Sequence, residues 1–265
     1  MSEPLRLGII GCGSISRAHA IAIRFNAEDG LVRCVAAADP DPAAIEQFAG
    51  IAGGVEFRSA DGHDVVDHPD VDAVVLITPT RFHREYVLAV CDAGKPLFTE
   101  KPLAPTFDVV QELHGAVTAA GIPAQVGFQS RFHPIVRRLR DLVESGELGA
   151  PMGYTLRDDQ YWPTGDIVPG HSDWRSDVRE AGGGALLEHS IHSCDVLAWL
   201  FGPARRVYAT KRHVFGYSVE DTAAMTIEHD NGVVGNLVTV FNGVRGREER
   251  RLEVFFEHEI GRAHV

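Results

Sequence analysis

Gly11-Cys12-Gly13-Ser14-Ile15-Ser16 follows directly on an apolar run, residues 5–10. A strand that stops in such a loop and turns into a helix offers bare backbone N–H groups and the positive end of a helix dipole to a pyrophosphate. Gly11 permits the tight turn, Gly13 lets the backbone approach phosphate, and Ser16 stands where a third glycine usually eases helix–strand packing. Asp39 closes the next apolar run, 32–38, at the spacing where an acid accepts hydrogen bonds from both ribose hydroxyls of a dinucleotide. A carboxylate there repels a 2′-phosphate, so the pattern selects NAD over NADP. The same residue could instead cap the turn Asp39-Pro40-Asp41-Pro42. A second set lies far downstream, where Glu188, His192 and Asp195, spaced by four and three residues, share one face of a helix beginning near Ala185. Imidazole titrates near neutral pH and can hold an alcohol proton, so His192 is the candidate general base and Glu188 the group that orients it or the substrate. The alternative is a partly buried histidine bonded to a neighbour, with Glu188 on a solvated face. His189, His192 and Cys194 also cluster, but no second ligand group has zinc-like spacing and no metal is expected.

The elements that must position these groups follow from the pattern around them. At 265 residues and 45% hydrophobic content the chain can bury one large core or two moderate ones, and two domains are expected. A helix over 14–26 and a strand over 32–38 are followed by segments 71–77, 81–93, 96–99, 106–120 and 124–127, the strand–helix alternation of a doubly wound α/β sheet. Val74-Val75-Leu76-Ile77 is too continuously apolar for a half-exposed strand and belongs at the centre of a parallel sheet. The loops Thr78-Pro79-Thr80 and Glu100-Lys101-Pro102 leave the carboxyl ends of two such strands, the edge where open α/β sheets bind ligands. After Phe128 the pattern changes to a basic helix over 134–144, a Gly/Trp/Pro-rich stretch over 161–184 and one more helix. Strands over 207–213, 222–228, 233–241 and 251–256 then predict a meandering antiparallel sheet.

Charge and cysteine usage exclude several classes of partner. Thirty-seven acidic against 25 basic residues give a net charge of −12 with no basic stripe, which argues against nucleic acid. Cys12, Cys34, Cys91 and Cys194 are far apart with no C-x-x-C pair, as for reduced thiols of a cytoplasmic protein. No apolar run approaches membrane-spanning length, so no membrane partner is expected.

Three segments taken together, the Gly11-Cys12-Gly13 loop, Glu100-Lys101-Pro102, and Gly182-Gly183-Gly184-Ala185-Leu186-Leu187-Glu188-His189-Ser190-Ile191-His192, resemble the Gfo/Idh/MocA oxidoreductases. Gly127-Phe128-Gln129-Ser130-Arg131-Phe132 and Asp195, Trp199, Leu200 and Gly202 extend the resemblance over nearly the whole chain. It implies an N-terminal Rossmann domain over 1–125 and a C-terminal α+β domain over 126–265, whose open, mainly antiparallel sheet serves catalysis and contacts in a homo-oligomer. It implies cofactor contacts from Gly11, Gly13, Ser14, Ile15, Asp39, Thr78, Pro79, His83, Glu100 and Lys101. Catalysis falls to Lys101, His192 and Glu188, and substrate contacts to Lys101, Gln129, Arg131, His192 and Asp195. An ammonium suits Lys101's part, since a charge beside the alcohol oxygen stabilises developing alkoxide as hydride leaves. Without the resemblance Lys101 reads as a capping or solvated lysine. Many members carry aspartate where this chain has Glu188, so the reach of the longer side chain is open.

The implied activity is transfer of hydride between a secondary hydroxyl of a sugar, inositol or related polyol and a nicotinamide dinucleotide, with reduction of a keto-sugar or imine as the reverse use of the same groups. A same-fold regulatory protein that binds without turnover has no need of both Lys101 and His192. The run Gly182-Gly183-Gly184 reads as a flexible lead that lets backbone lie near the nicotinamide. Tyr161, Trp162, Trp174 and Arg175 either line a sugar pocket or pack under a long loop. Glu259-Ile260-Gly261-Arg262-Ala263-His264-Val265 reads as translated sequencing adapter, so the second sheet is expected to stop short and expose an edge.

Overall fold

The computed structural model describes residues 3–162 and 173–264, so that residues 163–172 of the Gly/Trp/Pro-rich stretch lie outside the described residues. The chain divides into two compact units, Met1–Gly127 and Phe128–Val265. In the first unit β1 (Leu5–Ile10), α1 (Ser16–Glu28), β2 (Val32–Ala38), α2 (Pro42–Ala52), β3 (Phe57–Ser59), α3 (Gly62–Val66), β4 (Ala73–Leu76), α4 (His83–Asp92), β5 (Leu97–Thr99), α5 (Phe107–Ala120) and β6 (Ala124–Val126) alternate, with α2, β3 and α3 added to the elements the sequence pattern predicts. The six strands pair in the order β3-β2-β1-β4-β5-β6, all parallel. Period two sends neighbouring residues to opposite faces. Ile9 and Val75 pack with Ile45 and Phe48 on one side, while Ile10, Val74 and Leu76 pack with Val87, Val90 and Leu113 on the other. A boundary at 125 would cut β6, which pairs with β5 through Val126, and the division accordingly falls after Gly127.

The helix limits follow local chemistry. Asp41 caps α2 by accepting Ala43 N–H, Pro42 occupies its first turn, and Gly53 closes it with a left-handed backbone, φ +96°. α1 begins at Ser16 rather than 14, because Gly13-Ser14-Ile15 still belong to the turn that leaves β1.

The second unit holds α6 (Pro134–Ser145), β7 (Pro151–Tyr161), α7 (Val178–Ala181), α8 (Ile191–Phe201), β8 (Ala204–Arg212), β9 (Thr222–His229), β10 (Val234–Asn242), β11 (Glu249–Phe256) and β12 (Ile260–His264). Its sheet runs β12-β11-β7-β10-β9-β8. The expected meander is corrected in one respect: β7 inserts between β10 and β11, parallel to the first and antiparallel to the second. β7 escapes sequence reading because Arg157-Asp158-Asp159 interrupts its alternation, although Tyr154, Leu156 and Asp158 all face inward. Leu156 sits in register with Leu237 of β10 and Leu252 of β11, and this row packs with Val136 and Leu139 of α6 and Val196, Leu197 and Leu200 of α8. Residues 260–264 form the edge strand β12 along β11. Among the described residues no helix is long and apolar enough to cross a membrane.

Burial sets the cysteine chemistry. It pushes the thiols of Cys12 and Cys34 up to about 12 and that of Cys194 up to about 11, Asp158 and Asp195 adding to the last. Burial raises Cys91 as well. Because the thiolate is the reactive form, Ellman's reagent at pH 8 is expected to label the native protein slowly at all four cysteines and rapidly once guanidinium unfolds it. Fast labelling of Cys12 in the native protein would contradict the packing described.

Candidate active site

In the first unit the glycine loop is shaped by contacts that admit no side chain. Gly11 has φ +94°, and a Cβ there would lie 2.8 Å from the backbone of Ile77 and Thr78. Cys12 N–H donates to Asp39 Oδ2 at 2.7 Å, and Asp39 Oδ1 accepts Asp41 N–H at 2.9 Å. The turn-capping reading of Asp39 is seen directly, one oxygen capping the turn while the other steadies the glycine loop. Gly13, Ser14 and Ile15 are exposed, whereas Ser16 is buried where a third glycine would pack.

Several features of this unit fit a dinucleotide. Among the described residues no side chain caps α1, in contrast to α2, which Asp41 caps, and to α5, which Thr106 caps. Ser16 and Ala18 N–H donate to Gly13 and Ile15 O, so the amides that suit an external anion are those of the exposed loop just before the helix. Thr78 Oγ1, at the carboxyl end of β4, is buried with no hydrogen-bond partner among the described residues, so a hydroxyl there is unspent. Pro79 is half-buried beside it. His83 differs from the other expected cofactor residues. It is 1% exposed, its ring nitrogens lie 3.0 Å from Thr78 O and 3.3 Å from Leu103 O, and burial lowers its pKa, so it braces two loops from beneath. Glu100 Oε1 lies 2.8 Å from His19 Nε2, and Oε2 accepts the Lys101 N–H at 3.0 Å. Burial opposes ionisation of Glu100, but His19 and Lys101 outweigh it and lower its pKa. Lys101 itself is half-buried.

In the second unit the histidine is placed by an unusual backbone. Ala185–His189 forms a π-helical turn, and α8 starts only at Ile191. A Cβ on Gly184 would lie 1.9 Å from Glu220 O, which accepts Ala185 N–H at 2.9 Å while Glu220 Oε1 accepts Leu186 N–H at 3.0 Å. The glycine run is therefore a close-packed seat on Glu220 rather than a flexible lead. The expected single helical face is corrected too: His192 and Asp195 share α8, whereas Glu188 belongs to the π turn before it.

Glu188 is not on a solvated face. It is 5% exposed and lies 3.5 Å from Arg175 Nε, and Arg175 in turn stacks on Trp174 at 4.3 Å. His192 is 7% exposed, with Gln129 Nε2 3.5 Å from its Nε2 and the Phe128 ring edge-on to it. Arg131 grips Asp195 with both arms, Nε to Oδ2 at 2.6 Å and Nη2 to Oδ1. These two expected substrate contacts thus use their charges on each other. Their pairing ties the turn Gln129–Phe132 to α8 and so brings Gln129 to His192. Trp162 is core, stacked on Tyr217 at 5.1 Å, and Tyr161 is half-buried at the end of β7.

Sequence reasoning missed Asp158, Ser193 and Arg250, which meet beneath the start of α8. The available signal was an acid at an inward position of a strand. Among the described residues no group of three or more His, Cys, Asp or Glu could hold a metal ion.

Comparison with known proteins agrees with both units. Residues 5–128 match an oxidoreductase family with an NAD-binding Rossmann fold, and residues 136–260 match the Gfo/Idh/MocA C-terminal domain. The chain belongs to the Gfo/Idh/MocA oxidoreductase family, and its first unit is the NAD-binding Rossmann domain. It is 28% identical over 244 residues to a scyllo-inositol 2-dehydrogenase (NAD+) of Bacillus subtilis, covering 89% of this chain and 67% of the relative. It is 31% identical over 237 residues to an inositol 2-dehydrogenase of Rhizobium meliloti, covering 89% of this chain and 63% of the relative. The chain thus spans about two thirds of the length of these relatives. A levoglucosan dehydrogenase solved with NADH superposes with a TM-score of 0.90 at 25% identity, over 99% of this chain and 73% of that one.

Gly184→Ala tests the seat on Glu220. A Cβ at 1.9 Å from a backbone oxygen forces the π turn to move, and overpacking of this kind costs about 1–3 kcal/mol or more. A clear fall in the thermal unfolding midpoint is expected. An unchanged midpoint would mean that the turn has room the structure does not show.

Proposed function

We propose that this protein oxidises a secondary hydroxyl of a sugar, inositol or related polyol, with NAD as its cofactor. The observation that carries the reading is His192, a buried imidazole held beside Gln129 at the start of α8, in a chain whose other unit is an NAD-binding fold. The names of the inositol and levoglucosan relatives support the substrate class. NAD, when bound, accepts the hydride.

The chain's own residues divide the remaining tasks. The amides of Gly13, Ser14 and Ile15 receive the pyrophosphate, and Thr78 supplies its unspent hydroxyl to the cofactor. Asp39 keeps lone pairs beyond the two it uses on Cys12 and Asp41, which suits ribose hydroxyls and disfavours a 2′-phosphate. His192 takes the proton from the substrate hydroxyl, and the Lys101 ammonium stabilises the oxygen as negative charge develops on it. Glu188 orients the substrate together with Arg175, the partner its longer side chain reaches.

A thermal-shift titration with each dinucleotide tests the cofactor first. Saturation at about 100 times Kd adds roughly 2.7 kcal/mol to the folded state, so NAD should raise the midpoint and NADP should do so far less. Equal shifts with both, or an unchanged preference in Asp39→Ala, would overturn Asp39's part. Gly13→Ala should leave the apo midpoint unaltered, since nothing lies within 4 Å of the added Cβ, while weakening NAD binding.

Oxidation of myo-inositol, scyllo-inositol and levoglucosan, followed by NADH absorbance, then tests the chemistry. Lys101→Ala and His192→Ala are each expected to lower kcat by about 10²- to 10⁴-fold. Full turnover in His192→Ala at all pH values would remove it as the base.

A further inference from the structure

Asp158 lies in the middle of β7, between β10 and β11, and is 0% exposed. Its register neighbours on those strands are Thr239 and Arg250. Oδ2 accepts the Ser193 hydroxyl at 2.6 Å, while Oδ1 accepts Arg250 Nε at 2.9 Å and lies 2.8 Å from His189 Nε2. One strand over, Thr239 Oγ1 receives the Ser190 hydroxyl at 2.7 Å. His189, Ser190 and Ser193 bracket His192 in the chain, so the sheet holds the backbone on both sides of the imidazole.

A carboxylate at this depth is stable only with donors around it, and here three side chains converge on it. Although burial opposes its ionisation, His189, Arg250 and Ser193 hold its pKa well below the usual carboxylate range. The arrangement does not activate a nucleophile. Serine and histidine both address the carboxylate rather than each other, so no base waits on the Ser193 hydroxyl. Among the described residues no side chain caps α8 at Ser190, and an uncapped first turn frays unless something else restrains it. Arg250 carries the restraint further, for its Nη1 reaches Ser130 Oγ at 3.4 Å, inside the turn that brings Gln129 to His192.

We propose that Asp158 is a positioning residue for His192: by holding His189 at the end of the π turn and Ser193 in the first turn of α8, it fixes where the imidazole is carried. This rests on the reading of His192 as proton acceptor. Asp158 touches neither cofactor nor substrate in this account, and its effect reaches the reaction only through His192.

Ser193→Ala removes one grip without removing a charge, Ser193→Thr keeps the hydroxyl, and Asp158→Asn removes the charge. Amide hydrogen exchange on the free protein, read by mass spectrometry over peptides spanning 185–197, measures the positioning without turnover. Exchange there should speed up by about tenfold or more in Ser193→Ala and Asp158→Asn, with the rest of the second unit unchanged and Ser193→Thr restored. In myo-inositol oxidation kcat should fall roughly 10- to 100-fold with KM for NAD unaltered. Ser193→Ala added to His192→Ala should lower the residual rate no further.

Unchanged exchange in both variants, or loosening spread evenly over the second unit, overturns the proposal, as does a rate loss that multiplies on the His192→Ala background. If Asp158→Asn fails to fold, Ser193→Ala decides alone. A His192→Ala protein that turns over normally sinks the proton-acceptor reading instead, and the exchange data still judge whether Asp158 positions the helix.

Discussion

The second unit is organised by one constraint: a charged carboxylate sits at the centre of its sheet and must be met by donors. Asp158 is fully buried on β7, its oxygens accept from Ser193 and Arg250, and His189 Nε2 lies 2.8 Å away. Removing one member of such a group leaves a buried charge uncompensated, a penalty of about 3–5 kcal/mol. The sequence from the π turn to the first turn of α8 is therefore not free to slide over the sheet. The apolar row of Leu156, Leu237 and Leu252 stabilises the packing of α8 without directing it, because apolar contact is not directional. The adjacent polar row supplies direction. Glu220 adds a second fixed point by accepting the amides of Ala185 and Leu186, with Gly184 pressed against its carbonyl.

The first unit solves the opposite problem, keeping a site open rather than filling it. α2 and α5 are capped by Asp41 and Thr106, which satisfies their first amides internally. α1 has no such cap, and the residues before it are exposed. Its loop keeps shape because Asp39 reaches back to Cys12 and Gly11 lies against Ile77 and Thr78.

Legibility in the sequence followed the range of the interactions. The parallel sheet and the glycine loop rest on local alternation and turn chemistry and are readable in sequence, whereas α2, the three-residue edge strand β3 and the one-turn α3 are not. The second sheet was legible in its strands from β8 to β11 but not in its connectivity, since β7 reaches its place between β10 and β11 through pairing across distant sequence. The histidine was found by its type and spacing, yet the face it was assigned assumed a continuous α-helix. A π turn adds a residue to one turn of helix, and so Glu188 falls out of step with His192 and Asp195. Arg131 and Asp195 were both recognised, but no pattern in sequence tells an arginine that meets a ligand from one that meets a carboxylate already in the fold. Their bidentate pairing is a tertiary fact.

Glu188 shows how a departure from the family pattern carries its own compensation. A carboxylate that is 5% exposed needs a partner, and the extra methylene of glutamate over aspartate brings it to Arg175. Arg175 needs the contact as much, because burial lowers its pKa and Glu188 acts against that shift. Its other face rests on Trp174, so the guanidinium is held from two sides. An aspartate at 188 would retract the carboxylate and leave Arg175 partly desolvated with only the indole for support. A leucine at 175 would instead take away the guanidinium that Glu188 meets. Neither change is neutral alone, and the two positions are expected to vary together, the glutamate and the arginine forming one unit of the site rather than two independent residues.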